Sequence, residues 1–501
     1  MELGVENLFL IFGLALWSSV IFLLYALRPS SSLHVEISSI TRREKIICLG
    51  AVTILIAVCV APMAWNPHWT GELHRHHNQY QFLADAFLKG QLHLDVPVDP
   101  RLAAMENPYD FEAREALNLD ENSGGWDHAF YKGKYFVYFG AVPAVILFAP
   151  YQLIVGKPLA TYHATQIFAG LFILGLFALF WLLAKKFFPR MSFGVYLMSS
   201  VVLAAVSISY CMEAPALYCT ASSSGLCMEV WSIYFFARAA WAEDSRRKFL
   251  AEIFFGALLG ALAFGCKPTV ALANFLVLPL LPRLLSRDDA KKIFFVLCVP
   301  YLLTGAALMT YNFLRFDNPF EFGQAYQLTV ADQHAYGKFS ERFNLSTQVD
   351  GLLQNFFGVE NGLRGDKKPA GALRYIIFWL PIFFLTPKIF SALRRNRLIG
   401  FVFALIFTPI LITMFQIHWT PFLLERYRLE IYWLLALLTF LAIGFLSERG
   451  KNFFNFGVCL LSVVTIFQCI DLFLVPNDFN FAAIYPDLRP KIFKALTLGF
   501  G

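Results

Sequence analysis

Phe139-Gly140-Ala141-Val142-Pro143-Ala144-Val145-Ile146-Leu147-Phe148-Ala149-Pro150-Tyr151-Gln152-Leu153-Ile154-Val155-Gly156 is apolar almost throughout, yet Pro143 and Pro150 interrupt it. How this run is read decides the topology. As a spanning helix it would put Lys185, Lys186 and Arg190, which follow the next apolar run at 161–184, on the outer side. As an interfacial or re-entrant helix it lets 161–184 run inward and keeps those cations in the cytoplasm, as the positive-inside rule requires. The second reading also brings the basic stretches Arg238 to Lys248, Arg283 to Lys292, Arg394 to Arg397 and Glu448 to Lys451 to the inner side.

The composition agrees with a membrane protein. It is 58% hydrophobic and only 15% charged, well apart from soluble domains. Crossing roughly 30 Å of hydrocarbon takes about 20 helical residues, and many runs are that long. Spans are expected near 8–26, 45–64, 161–184, 193–210, 222–240, 249–265, 268–285, 293–313, 372–391, 398–416, 428–445 and 453–474. The expected fold is therefore all-α: one polytopic bundle of about 12 transmembrane helices, filling 1–501 as a single transmembrane domain. A first outer loop covers 66–160 and includes the interfacial helix 139–156; a second covers 314–371, and a short third covers 417–427. The first apolar run lacks a charged n-region and a cleavage site, so it reads as a retained span.

The net charge of +6 comes from short loops between spans and does not point to nucleic acid. The nine cysteines show no paired CxxC spacing. Most sit in apolar runs as small core residues. Cys211 and Cys219 flank a predicted outer loop, where oxidation is open to them.

All the sizeable polar regions fall on one side, which is the functional clue. The first outer loop carries Glu72, His76, His77, Asn78, Tyr80, Asp127, Lys132, Lys134 and Tyr135. The second carries Arg315, Asp317, Glu321 and Tyr326, and the third carries His418, Glu425, Arg426 and Tyr427. Lys267, between two spans, is a further candidate. Cations at a membrane boundary can hold a phosphate, aromatics stack on sugars or sit at headgroup level, and a carboxylate can accept a proton. Each has a bland counterpart. Asp127 follows Gly124-Gly125 and could cap a turn; Lys132, Lys134 and Lys267 could snorkel; Glu213 and Glu229 border a span and read as packing residues. His68, His74, His76, His77 and His93 raise the reading of a divalent metal ion, but no ligand spacing is apparent, so no metal ligand and no cofactor is assigned.

The order of these features resembles a known family. A span leads to a polar cluster, then to Tyr80-x-x-x-Ala84-x-x-x-Leu88-x-Gly90, then to the Pro-containing helix, then to a span ending in Lys185-Lys186-Phe187-Phe188. This is similar to the GT-C superfamily of polyprenyl-phosphate-sugar-dependent glycosyltransferases, nearest to the family 39 type that includes protein O-mannosyltransferases and lipid A aminoarabinose transferases. The stretches Trp126 to Pro143 and Tyr311 to Gly323 resemble bacterial members of that type. The resemblance covers about 45 to 475. It implies an inverting glycosyltransferase of the bacterial inner (cell) membrane with its site facing the periplasm or exterior. The implied donor is a polyprenyl-phosphate-linked sugar, and the acceptor a glycan, lipid or protein.

One departure concerns the base. The family's Asp-Glu pair is replaced by His76-His77, which leaves Asp127, His76 and Glu72 as candidate catalytic groups. Lys134 is the match for the family's phosphate lysine. Asn78, Tyr80, Lys132, Tyr135, Lys267, Glu321, Glu425 and Arg426 complete the expected substrate-binding set. The alternative is a non-enzymatic lipid-linked glycan transporter or accessory glycan-binding membrane protein. The mid-span segments are nearly free of charge and no half-repeat is found, which weighs against transport. A third reading is a polymerase or ligase of surface polysaccharide using the same leaving group.

Overall fold

The computed structural model describes residues 31–70, 78–119, 125–242, 245–330, 332–333, 343–361, 367–369, 371–419, 423–448 and 453–473, with positions 20, 21, 24 and 28 before them. The helices that build the bundle, numbered along the chain without single-turn pieces, begin with α1 (Arg42–Val60), α2 (Gln79–Leu88), α3 (Ala149–Val155), α4 (Thr161–Phe187) and α5 (Phe193–Glu213). They continue with α6 (Leu217–Trp241), α7 (Arg246–Cys266), α8 (Ala290–Phe316), α9 (Leu345–Phe357) and α10 (Pro387–Arg395). The last are α11 (Ile399–Trp419), α12 (Glu425–Ser447) and α13 (Phe453–Phe473).

The protein is an all-α polytopic membrane protein. Among the described residues, seven helices are long and apolar enough to cross a membrane, or eight if Ile376–Leu385 and α10, bent by 81°, form one span. This is fewer than the twelve expected, for local reasons. The expected span 8–26 lies almost wholly outside the described residues. Helix α6 has the length, but Thr220, Ser222, Ser223, Ser224 and Glu229 dilute its hydropathy. Val270–Leu285 begins as an 11-residue 3-10 stretch; at about 2 Å per residue, 3-10 geometry makes a short segment reach further than α-helix would. Helix α13 has 21 residues, of which Asn455–Ile470 carry described side chains. The run at 139–156 forms a π-turn, Ala144–Phe148, continued by α3. At about 1.5 Å per residue the helix Ala144–Val155 is roughly 18 Å long, too short to cross.

Local chemistry sets the helix ends. The Thr41 side chain accepts from Arg43 N and Glu44 reaches back to Thr41 N at 2.8 Å, a capping box that starts α1. Ser192 caps α5 through Val195 N. Gly156 stops α3 in the left-handed conformation, with φ 74°. Helix α12 is buried along nearly its whole length: Phe172 of α4 meets Trp433 edge-on, and Phe180 stacks on Phe440 at 4.4 Å. Helix α8 instead exposes Phe294, Phe295, Leu302 and Leu303, the pattern of a lipid-facing helix. All nine cysteines, Cys211 and Cys219 included, are free thiols.

The two ends of the bundle differ chemically. At one end Ile37 N donates to Met191 O at 3.0 Å, Arg190 N to Glu448 Oε1 at 3.4 Å, and Arg246 pairs with Asp288 at 2.6 Å. This end gathers the basic loops. At the other end the first and second outer loops pair directly. Strands β1 (Ala129–Tyr131) and β2 (Lys134–Phe136) form an antiparallel hairpin, and Phe130 N donates to Tyr326 O at 2.8 Å. Asp127 N donates to Leu328 O at 2.8 Å, and Leu328 N donates back to His128 O at 2.9 Å.

Position 157 follows α3, and position 187 ends α4 at the basic end. A single cysteine placed at 157 should react with an impermeant maleimide added to intact cells, and one at 187 should react only after permeabilisation. External labelling of 187 would invert the orientation.

Candidate active site

A cavity of about 290 Å³ opens beneath the paired outer loops. Helix direction explains its chemistry. Helices α6, α7, α8 and α12 each have one end among the basic loops, and the opposite ends converge here. Tyr218 starts α6, Lys267 follows α7, Arg315 ends α8, and Arg426 lies in the first turn of α12. All four line the cavity, with Tyr138, Tyr311, Gln324, Tyr427 and Glu430. Cations at the C-terminal ends of α7 and α8 are favoured by the helix dipole. Arg426 sits at an N-terminus, where the dipole opposes it; the faces of Tyr218 at 3.9 Å and Tyr427 at 5.4 Å offset this by cation–π attraction.

Lys267 is fixed from three sides. Its Nζ lies 2.5 Å from Glu430 Oε1, donates to Ser222 Oγ at 2.9 Å, and stands 5.4 Å from the centre of the Tyr427 ring. Gly140 secures its backbone: a Cβ there would come within 2.0 Å of Gly265 O, so the chain leaving the hairpin packs directly on the end of α7. Arg315 is buried; it donates to Val137 O at 2.6 Å and to Asn312 Oδ1 at 2.8 Å, and stacks on Tyr311 at 3.8 Å.

Asp127 stands behind this wall. It adopts φ 54°, a left-handed conformation that Asp tolerates better than most residues, and it is 5% exposed. One carboxylate oxygen accepts from the Tyr218 hydroxyl and the other from Gln327 Nε2 at 2.8 Å. Gln79 Nε2 holds its carbonyl at 2.8 Å. Burial pushes the Asp127 carboxyl up to about 6, although the Arg426 charge and hydrogen bonds from Gln327, Thr329 and Trp126 pull the other way. Asp127 does not itself line the cavity; Tyr218 stands between them.

No protein-family model matches the sequence, and no curated protein matches it. Among solved structures, the chain is similar over 91% of its length to the oligosaccharyltransferase AglB of the archaeon Archaeoglobus fulgidus, solved with an inhibitory peptide and a dolichol-phosphate, at 12% identity and a TM-score of 0.47. A second structure of an oligosaccharyltransferase from Archaeoglobus fulgidus, in the apo form, matches over 90% of this chain at 12% identity and a TM-score of 0.46. The chain corresponds to 56% of the length of each.

Of the residues expected to bind substrate, Lys267 and Arg426 line the cavity, and the others lie elsewhere. Lys134 is exposed on β2. Lys132 is exposed and pairs with Asp317 at 2.5 Å. Tyr80 is wholly buried and stacks on Phe148, and Tyr135 is wholly buried against Phe130 and His128. Asn78 precedes α2 and accepts from Thr161 Oγ1 at 3.5 Å. Glu321 accepts from Gly323 N at 2.6 Å and so holds a turn. Glu425 is tied to Arg374 at 2.6 Å, to Arg428 and to Tyr432. Glu72, His76 and His77 lie outside the described residues. Among the described residues no group of three or more His, Cys, Asp or Glu side chains could hold a metal ion; His74 too lies outside them.

The sequence reading missed Tyr218, Gln327 and Glu430. Tyr218 lies four residues before the expected span 222–240 and Glu430 two residues inside the span 428–445, so neither fell in a stretch read as polar loop. Glu229 also differs from its expected border position. It is wholly buried inside α6, where Asn274 Nδ2 donates to it at 2.7 Å.

The raised Asp127 carboxyl has a stability consequence. Between its unfolded value near 3.8 and about 6, the folded state binds more protons than the unfolded state, so stability falls as pH rises through that window and levels off above it. Thermal unfolding of wild type and Asp127→Asn from pH 4 to 8 should show the wild type losing about 2–3 kcal/mol relative to the variant across that window. A constant difference would place the Asp127 carboxyl at an ordinary value.

Proposed function

We propose that this chain is a membrane glycosyltransferase that moves a sugar from a polyprenyl-phosphate donor to an acceptor hydroxyl on the non-cytoplasmic side. The observation that carries this reading is the convergence of Lys267, Arg315 and Arg426 on one tyrosine-lined cavity at the outer end of the bundle. Three cations suit a phosphate, and the aromatic lining suits a sugar. A second, apolar cavity of about 270 Å³ shares Phe264 and Leu308 with the first and runs along Gly260, Ala261, Tyr301 and Gly305 between α7 and α8. It provides room for a prenyl chain beside a helix that already faces lipid.

In this reading the cations hold the donor phosphate and stabilise the charge it gains on leaving. The acceptor oxygen bonds to the anomeric carbon as the sugar–phosphate bond breaks, with inversion. The acceptor proton is taken up by Asp127 through the Tyr218 hydroxyl, which passes its own proton to the carboxylate it already contacts. A carboxyl near 6 is mostly ionised at neutral pH and still basic enough to accept a proton. His76 and Glu72 are the rival bases. The gathering of the basic loops at the opposite end supports a non-cytoplasmic site, which in this reading is the periplasmic or exterior face of a bacterial inner membrane. The acceptor class, whether glycan, lipid or protein, stays open in this proposal.

A non-catalytic transporter of lipid-linked glycans is the second reading, favoured by Glu229, because ionisable residues buried within spans often mark transport paths. Turnover separates the two. Purified protein offered a panel of synthetic prenyl-phosphate hexoses with acceptor glycans should release prenyl phosphate. Asp127→Asn should lower the rate about 10²–10⁴-fold while donor binding is kept. The wild-type rate should fall below about pH 6, where the carboxylate is protonated, and that limb should vanish in the variant. Full activity in Asp127→Asn with a dead His76→Ala would move the base to His76, and binding without turnover would favour transport.

A further inference from the structure

The cavity lysine is already occupied. Lys267 Nζ lies 2.5 Å from Glu430 Oε1, and Glu430 is wholly buried yet lines the same cavity. Glu430 stands four residues after Arg426 on α12, so both present to the cavity from one helix face. Resting on the reading of this cavity as a phosphate site, we propose that Glu430 is an internal competitor for Lys267, displaced when a phosphate monoester or diester enters.

Three features argue for displacement over a fixed structural clamp. First, Lys267 does not depend on Glu430 for its position: Ser222 Oγ at 2.9 Å and the Tyr427 ring at 5.4 Å hold the ammonium group from other directions. Lysine is a point charge on a flexible stem and re-aims at low cost. Second, Glu430 does not pair with either of the other two cations of the cavity, although the Asp127 charge behind the wall acts on Arg426. Arg315 donates to the neutral Val137 carbonyl and Asn312 amide, and Arg426 packs on tyrosine faces. An entering phosphate thus gains Arg315 and Arg426, which Glu430 does not engage, as well as Lys267. Third, the buried ion pairs elsewhere in this end of the protein are multiply tied. Glu425 is held by Arg374, Arg428 and Tyr432 together, the arrangement of a clamp. Glu430 has Lys267 as its ion-pair partner on the cavity wall.

The consequence is a tax on binding. Part of the phosphate's interaction with Lys267 is spent on separating the internal pair, so the apparent affinity is lower than the three cations alone would give. A ligand that engages Arg315 and Arg426 at the same time can open the pair; one that reaches Lys267 alone cannot. Glu430 thereby makes the site selective for a phosphate seated across all three cations.

The test is equilibrium binding to the purified full chain in nanodiscs, with synthetic undecaprenyl monophosphate, inorganic phosphate and undecaprenol as probes. Glu430→Gln should tighten undecaprenyl monophosphate by about tenfold or more, within the range that buried charge pairs are worth at interfaces. Glu430→Asp, which shortens the acid and keeps its charge, should fall between wild type and Gln, and serves if the Gln variant loses its fold. The gain should disappear in the Lys267→Gln/Glu430→Gln double variant. Undecaprenol should show no gain. An equal gain for inorganic phosphate would support the competition and identify free phosphate as the ligand. If wild type binds undecaprenyl monophosphate and neither Glu430 variant binds more tightly, Glu430 is not a competitor, and the phosphate reading of the cavity stands without it. If wild type and variants bind neither phosphate probe, the phosphate reading falls, and the competition with it.

Discussion

Asp127, a buried acid, joins four separated parts of the chain at the end of the bundle opposite the basic loops. Its two oxygens hold Tyr218 of α6 and Gln327 of the second outer loop, its carbonyl holds Gln79 of α2, and its charge faces Arg426 of α12. Such a group is costly to bury unless its hydrogen bonds are met, and here the partners come from four separated parts of the chain. The outer loops are therefore ordered over the bundle by a polar constraint, and the hairpin of β1 and β2 closes it with backbone bonds to the segment around Tyr326. Tyr218 and Arg426, both beside this carboxylate, pack on each other at 3.9 Å.

Charge is distributed unequally between the bundle's ends, and each end uses it differently. At the basic end, arginines meet acids in exposed pairs such as Arg246 with Asp288. Pairs of this kind contribute little to stability. At the other end several cations are buried or half-buried: Lys267, Arg374 and Arg428 pair with acids, whereas Arg315 and Arg426 rest mainly on neutral groups. Arg315 rests on a carbonyl, an amide and two aromatic rings, and Arg426 on two tyrosines. Positive charge left partly uncompensated in a cavity is electrostatically disposed toward an anion.

Around the third loop the same residue types do a different job. Glu425, adjacent in sequence to Arg426, turns away from the cavity into a buried cluster with Arg374, Arg428 and Tyr432. That cluster ties the first turn of α12 to the segment that follows the second outer loop. Because Glu425 is so held, Arg426 one position later is directed to the cavity wall. Neighbours in the sequence are thus divided between holding the helix end and facing the cavity.

Much of this was legible from residue type and spacing. Apolar length marked the membrane helices, and the prolines at 143 and 150 marked an apolar run that the structure builds as the short helix Ala144–Val155, because each depends on local composition. Asp127, Lys267 and Arg426 also stood out, as ionisable residues at the edges of apolar runs. The sequence could not say which polar residues share a space. Lys134 and Lys132 precede the interfacial helix as a phosphate grip would, yet the hairpin turns them to solvent. Tyr80 and Tyr135 have the chemistry of sugar platforms and are spent on the core. Tyr218, Gln327 and Glu430 carry no local signal, since their significance comes from meeting residues 91, 200 and 163 positions away along the chain. Such meetings are settled by the order in which helix ends converge, and a buried charge selects its partners only after the bundle has brought them within reach.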